Sequence, residues 1–297
     1  MRVRILVTGA RGRMGSTAVR ALLEAGHEVR STDIARGPFA PSPDDGESAH
    51  WQADLTDAGD AYAVVRGCDA VVHAAAIPSP TRNAPHTVFH NNLMATFNVV
   101  EAAVRWGAHR LVNISSESVT GLVFAERPWA PRYVPIDEDH PVRPQDPYAL
   151  AKHFGEQICA AAVRRSDLRC VSLRPSWVQY DDTYERDLGP VVRAPSAPSP
   201  NLHSYVDGRD VAEAIVRAIT CDIDGHEAMF VAAPDNATGR PLADLVRTAY
   251  GDAVEVRDLP RVDASATSSA RLRRVLGWAP SRSWRDHLDG DGRRRHR

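Results

Sequence analysis

Along the chain, short apolar or β-branched runs alternate with longer stretches whose apolar residues recur at helical spacing. The runs are "RVRILVTG" (2–9), "HEVRSTD" (27–33), "DAVVHAAA" (69–76), "HRLVNISS" (109–116) and "LRCVSLRP" (168–175). Between them, "MGSTAVRALLEAG" and "FNVVEAAVRWGA" carry apolar residues in helical register, and each ends near a glycine, the usual helix stop. Strands alternating with helices imply right-handed crossovers and a parallel sheet covered on both faces. Residues 117–147 differ in texture: "ERPWAPRYVPIDEDHPVRPQDP" is rich in proline and charge and predicts a long surface loop, and 187–204 predicts a second. Beyond these, "RDVAEAIVRAI" predicts a helix, "AMFVAAP" a strand, "RPLADLVRTAYG" a helix and "AVEVRDL" a strand, together a small mixed annex.

A chain of 297 residues can bury a large core, and a main domain with an annex is the natural expectation. The 36 basic and 38 acidic residues nearly cancel, which gives no general attraction to nucleic acid or an anionic membrane; a small-molecule partner is the better expectation. No apolar run approaches the roughly 18 to 20 residues that span a bilayer, and "MRVRILVTGARG" runs straight into a strand pattern, so the expected location is cytoplasmic. Cys68, Cys159, Cys170 and Cys221 are scattered without C-x-x-C spacing, which suggests neither a zinc site nor a disulfide framework. His86 and His90 have i,i+4 spacing but no third ligand in register, and a structural role is expected of them rather than a metal.

The first strand runs into "GARGRMG", which places Gly9, Gly12 and Gly15 where a helix begins. Small residues there let the backbone approach a pyrophosphate that the helix N-terminus favours electrostatically. The acid Asp33 closes the next strand. A tight strand–helix turn would explain the glycines but not the acid, so a dinucleotide site on a Rossmann-type, doubly wound parallel α/β sheet is expected. Asp33 would accept hydrogen bonds from ribose hydroxyls and repel a 2′-phosphate, which favours NAD. Arg11 inside the loop and Arg36 just past the acid keep NADP open.

One residue pair carries the chemistry. The 36 basic residues comprise 35 arginines and a single lysine, Lys152, four positions after Tyr148 in "DPYALAKH". With 7 tyrosines in 297 positions, a lone lysine would fall there by chance about 2% of the time, so a solvated i,i+4 pair is a poor explanation. On a helix the two share a face, with Cβ atoms about 5–6 Å apart. A neighbouring ammonium lowers a phenol's pKa from about 10. Arginine would also be positive but cannot lend a proton and lacks the compact ammonium. Upstream, Ser116 opens a loop at a strand end, where its hydroxyl can hold a substrate oxygen.

Together these residues resemble the extended short-chain dehydrogenase/reductases, the NAD-dependent epimerase/dehydratase family, over nearly the whole chain. The resemblance implies that the loop from Thr8 to Gly15, with Gly9, Arg11, Gly12, Arg13, Met14 and Gly15, binds the pyrophosphate. It places Asp54 and Leu55 near adenine, has Ala74, Ala75 and Ala76 line the cofactor, and sets Pro175 in the turn beside the nicotinamide. It also implies that Asn92 supports a proton relay, that Ser116, Tyr148 and Lys152 form the catalytic triad with Tyr148 and Lys152 also touching the cofactor, and that the protein is a homodimer.

Expected substrate contacts are Ser116, Glu117, Ser176 and Trp177. Trp177 stands near the place of an asparagine common in nucleotide-sugar epimerases, and Glu117–Ser118 replaces the Asp-Glu pair of sugar-nucleotide dehydratases. Both departures favour a free or simply phosphorylated sugar, or a small ketone. The expected organisation is a dinucleotide-binding Rossmann domain at 1–175 carrying the triad, a mainly substrate-binding mixed α/β subdomain at 176–290 whose 205–220 segment packs back on the first, and a disordered basic tail at 291–297. The expected function is NAD(P)-dependent interconversion of a secondary alcohol and a ketone on a sugar-like or other small hydroxylated substrate. Two alternatives are a nucleotide-sugar epimerase with tightly bound NAD and a non-catalytic dinucleotide sensor.

Overall fold

The structure is a computed structural model that describes residues 2–35, 47–195 and 199–295. In chain order the first elements are β1 (Arg4–Thr8), α1 (Arg13–Glu24), β2 (Glu28–Asp33), β3 (Glu47–Gln52), α2 (Ala58–Val65), β4 (Ala70–His73), α3 (Pro85–Trp106) and β5 (Arg110–Ile114). There follow β6 (Tyr133–Val134), α4 (Pro147–Val163), β7 (Arg169–Pro175), β8 (Trp177–Gln179), α5 (Gly189–Arg193), β9 (Tyr205–Asp207) and α6 (Gly208–Thr220). The last are β10 (His226–Val231), α7 (Leu242–Tyr250), β11 (Glu255–Val256) and α8 (Ala270–Leu276).

The central sheet has seven strands in the order β10-β7-β5-β4-β1-β2-β3. Pairing is parallel, with Ile5 opposite Val29 on one side and Ala70 on the other, and the β2–β3 register shifts between Val29 and Arg30. From β1 the chain winds outward through β2 and β3, then returns to β4 and winds the other way. This reversal between β1 and β4 leaves a crevice at the carboxyl ends of the two strands, where neither crossover covers the sheet.

Local sequence explains the elements around it. The "ILVT" of β1 is fully buried, as expected of a strand covered on both faces. Pro85 starts α3, and Gly107 stops it at φ 70°, a left-handed value that suits glycine. Asp146 caps α4 by accepting from the backbone N–H groups of Tyr148 and Ala149 (3.0 and 2.9 Å), with Pro147 at the first helical position.

The chain divides into two compact units. The first comprises Met1–Ser115, Gln145–Leu173 and Ala212–Ala228, the second Ser116–Pro144, Arg174–Val211 and Met229–Arg297. In the first, Leu6, Val71, Val99, Leu111, Cys159 and Cys170 pack into one buried cluster. In the second, Leu122, Val134, Ile136, Phe230, Leu242 and Leu245 form another.

That second core corrects the expectation of a surface loop over 117–147. Leu122, Tyr133, Val134 and Ile136 are all buried. Single apolar residues spaced among prolines carry no period, so the pattern hides the burial. At the C-terminal end, Leu288 bridges Arg294, and the Asp289 carboxylate accepts from the N–H groups of Asp291 and Arg293 (both 2.9 Å). Residues 296 and 297 lie outside the described residues. Strand β3 is an element the sequence pattern does not predict, because its "ESAHWQ" is mostly polar.

Candidate active site

At the crevice between β1 and β4, a cleft of about 340 Å³ is lined by Gly9, Arg11, Gly12, Asp33, Asp54, Leu55 and Ala74 to Ala76, all expected from the sequence. Ile34, Ala35, Ala53, Thr56, Ile77, Asn91 and Ala95 complete the lining and carry no sequence signal. Gly9 has φ +65°, and a Cβ there would sit 2.7 Å from the Ala75 backbone. A methyl on Gly15 would overlap the Gly9 carbonyl oxygen. The glycines therefore fold the loop onto itself and onto the strand-end segment 74–77. Arg13 and Met14 begin α1, whose N-terminus carries no side-chain cap and no acid in its first turn. That end offers N–H donors and a positive dipole to an anion.

Asp33 is held by two backbone donors, Arg11 N–H on one oxygen (2.9 Å) and Ala35 N–H on the other (3.0 Å). It presents a fixed carboxylate at the cleft. Arg36 lies outside the described residues. Asp54 folds its own loop by accepting from the Thr56 N–H and hydroxyl (3.0 and 2.7 Å). The Asn98 amide donates to the carbonyls of Leu55 and Thr56, which shapes the wall beside it.

A directional hydrogen-bond chain sets the floor. Thr8 Oγ1 accepts from the N–H groups of Ala74 and Ala75 (3.1 and 3.2 Å) and lies 2.9 Å from His73 Nδ1. Thr96 Oγ1 donates to the Asn92 carbonyl and lies 3.1 Å from His73 Nε2. These contacts are all satisfied by a neutral His73 with its proton on Nε2. Burial, reinforced by the Lys152 charge, pushes the His73 pKa down to about 3, so the ring is neutral across the ordinary range. The Asn92 side chain then clamps the far end of the segment, accepting from Ile77 N–H (2.8 Å) and donating to Ile77 O (3.0 Å). Thr8, His73 and Thr96 are the contributors sequence reasoning missed as a set, because their partnership is between β1, β4 and α3.

Tyr148 and Lys152 stand one turn apart on α4, as their spacing predicts, and outside the lining of that cleft. The Lys152 ammonium is 7% exposed and donates to the Ile114 carbonyl at the end of β5 (2.6 Å). It lies 5.7 Å from the centre of the Tyr148 ring. Burial brings its pKa down to about 8, against an opposing pull from Glu156.

In the second unit, Ser116 caps the short 3-10 turn Glu117–Thr120. Its Oγ accepts from the Ser118 N–H (3.1 Å) and hydroxyl (2.9 Å), which leaves its own proton to donate. Glu117 is buried and accepts from the Asn201 amide at 2.8 Å. Burial pushes its pKa up to about 7, while Asn201, Ser176 and the Trp177 backbone pull the other way. Pro175 ends β7, Ser176 is buried, and Trp177 opens β8 with 41% of its surface exposed.

Residues 5–179 match the sequence profile of the NAD dependent epimerase/dehydratase family. The chain belongs to this family. Uronate dehydrogenase of Pseudomonas putida is 28% identical over 60% of this chain and 68% of its own length. UDP-glucose 4-epimerase of Corynebacterium glutamicum is 24% identical over 94% of this chain and 91% of its own. In fold, the chain resembles the crystal structure of a short-chain dehydrogenase/reductase superfamily protein from Agrobacterium tumefaciens with bound NAD, at TM-score 0.70 and 23% identity over 95% of this chain and 94% of that one. NAD is the cofactor of the family, and the residues present fit it: a glycine loop that a methyl would fill, a helix N-terminus free of acid, and a braced carboxylate at the second strand end. Among the described residues no helix is long and apolar enough to cross a membrane.

Proposed function

We propose that the protein is an NAD-dependent dehydrogenase that interconverts a secondary alcohol and a ketone on a sugar-like or other small hydroxylated substrate. The observation that carries this reading is the buried Lys152 ammonium, fixed to Ile114 O one helical turn from Tyr148. The uronate dehydrogenase relative supports a free sugar acid as the substrate class.

The loop from Gly9 to Gly15, Asp33, Asp54 and the 74–77 segment would hold NAD, with Tyr148, Lys152 and Pro175 toward its nicotinamide end. NAD, when bound, supplies the acceptor for the hydride of the oxidised carbon. The chain's own part is proton transfer and positioning. Tyr148, as phenolate, takes the hydroxyl proton. The compact Lys152 charge favours that phenolate and can contact a ribose hydroxyl. Ser116 donates its free proton to the substrate oxygen, and Glu117, Ser176 and Trp177 contact the rest of the substrate. Asn92 acts by holding the segment 74–77 through Ile77.

A second reading, a nucleotide-sugar epimerase that returns the hydride, is supported by the epimerase relative that spans nearly the full length. NADH absorbance with sugar acids, free sugars, sugar phosphates and nucleotide sugars tests the two. Net reduction with sugar acids is expected. Silence across the panel with NAD released on denaturation would favour the epimerase. Tyr148→Phe is expected to lower the rate by about 10²-fold or more, and an unchanged rate would remove the proposal.

A further inference from the structure

Lys152 is the one lysine among 36 basic residues, and it is buried. A buried ammonium needs a partner charge or it tends to give up its proton. One turn beyond it on α4, at the i,i+4 position, stands Glu156, 2% exposed. Two successive residues at the end of β5 meet this face of the helix. The Ile114 carbonyl accepts from the Lys152 ammonium, and the Ser115 hydroxyl, itself 1% exposed, donates to Glu156 Oε1, both at 2.6 Å. Strand and helix are thus cross-linked twice, once through the cation and once through the anion.

We infer that Glu156 is the positioning residue of Lys152: braced by Ser115, its carboxylate keeps the lone lysine charged and fixed against the end of β5. The inference rests on the reading that Tyr148 and Lys152 carry the chemistry, and adds to it a residue that does not touch the reacting atoms. Among the described residues, the following groups bear on the ammonium. Glu156 and the Tyr148 ring come from α4, the Ile114 carbonyl from β5, and His73 from β4, where it is neutral. Glu156 is the anion among them. The direction of its pull agrees: burial lowers the Lys152 pKa, and Glu156 raises it.

The single lysine makes this directly measurable. Protein grown on lysine labelled with carbon-13 at Cε gives one side-chain signal, whose pH titration reports Lys152 alone, with no turnover required. Wild-type protein and Glu156→Gln, each loaded with NAD and titrated side by side, are expected to differ, the variant's midpoint lying lower by about one pH unit or more. The alkaline limb of the oxidation rate should move with it. Glu156→Asp keeps the charge and should return most of the shift.

Ser115→Ala serves if the glutamine variant does not fold. The carboxylate then loses the donor that holds it in place, and the lysine midpoint should fall by about half a unit. Midpoints equal to wild type in the folded variants would overturn the inference, even if stability drops, because a merely structural Glu156 would leave the lysine titration where it is. An unchanged rate in Tyr148→Phe would instead sink the catalytic reading while leaving this titration as an independent result.

Discussion

Glu117 is a carboxyl whose surroundings make it easy to protonate. In the folded chain its pKa is about 7, against 4.5 unperturbed. Between these values the folded state holds a proton that the unfolded state has released, so this group's contribution to stability is fully present below pH 4.5 and is lost as pH rises through 7. The cost above pH 7 is about 3 kcal/mol at most. Glu117→Gln keeps an oxygen to accept from Asn201 and removes the charge. It is expected to unfold at higher urea than wild type at pH 8 and at the same urea near pH 4, and if Glu117 contacts substrate the KM should rise. Gly15 is constrained by space instead of charge. Gly15→Ala would force the loop off the Gly9 carbonyl, and loss of NAD binding by at least tenfold in calorimetry is the expected result. Both residues were named from the sequence, but the burial of Glu117 was not legible there, because it depends on Asn201, 84 positions away.

At the scale of elements, α4 was readable because its signals are local: Asp146 and Pro147 at its start and Tyr148 and Lys152 at i,i+4. Asp146→Ala leaves the N–H groups of Tyr148 and Ala149 without their acceptor. Chemical denaturation should show a loss of about 1–2 kcal/mol, largely restored by Asp146→Asn. The proline-rich stretch 126–144 and strand β3 were not readable. Their residues are positioned by partners distant in sequence, β2 for β3 and β11 for β6. Nothing periodic within the segments announces the pairing. Strand β11 shrinks to Glu255–Val256, both exposed, although "AVEVRDL" alternates well enough to predict a longer one.

For the whole molecule, ligand linkage gives the most direct test of the cofactor. NAD at about 100 times its Kd should stabilise the folded state by about 2.7 kcal/mol, visible as a rise in Tm. NADP should give less, because the Asp33 carboxylate, braced by Arg11 N–H and Ala35 N–H, opposes a 2′-phosphate. An equal or larger rise with NADP would show that an arginine outweighs the acid.

The sequence by itself determined the alternation of strands and helices, the glycine loop with its acid, and the pairing of the lone lysine with Tyr148. Each of these is written in residues within a few turns of one another, where spacing fixes geometry. Only the tertiary structure decided which strands flank β1, that Thr8, His73, Thr96 and Asn92 pin the 74–77 segment, and that Lys152 is buried on the Ile114 carbonyl while Ser115 holds Glu156 one turn on. Those relations join β1, β4, β5, α3 and α4, and no local period encodes them: they arise when the sheet forms and removes these polar groups from water, leaving each to find its partner in the fold.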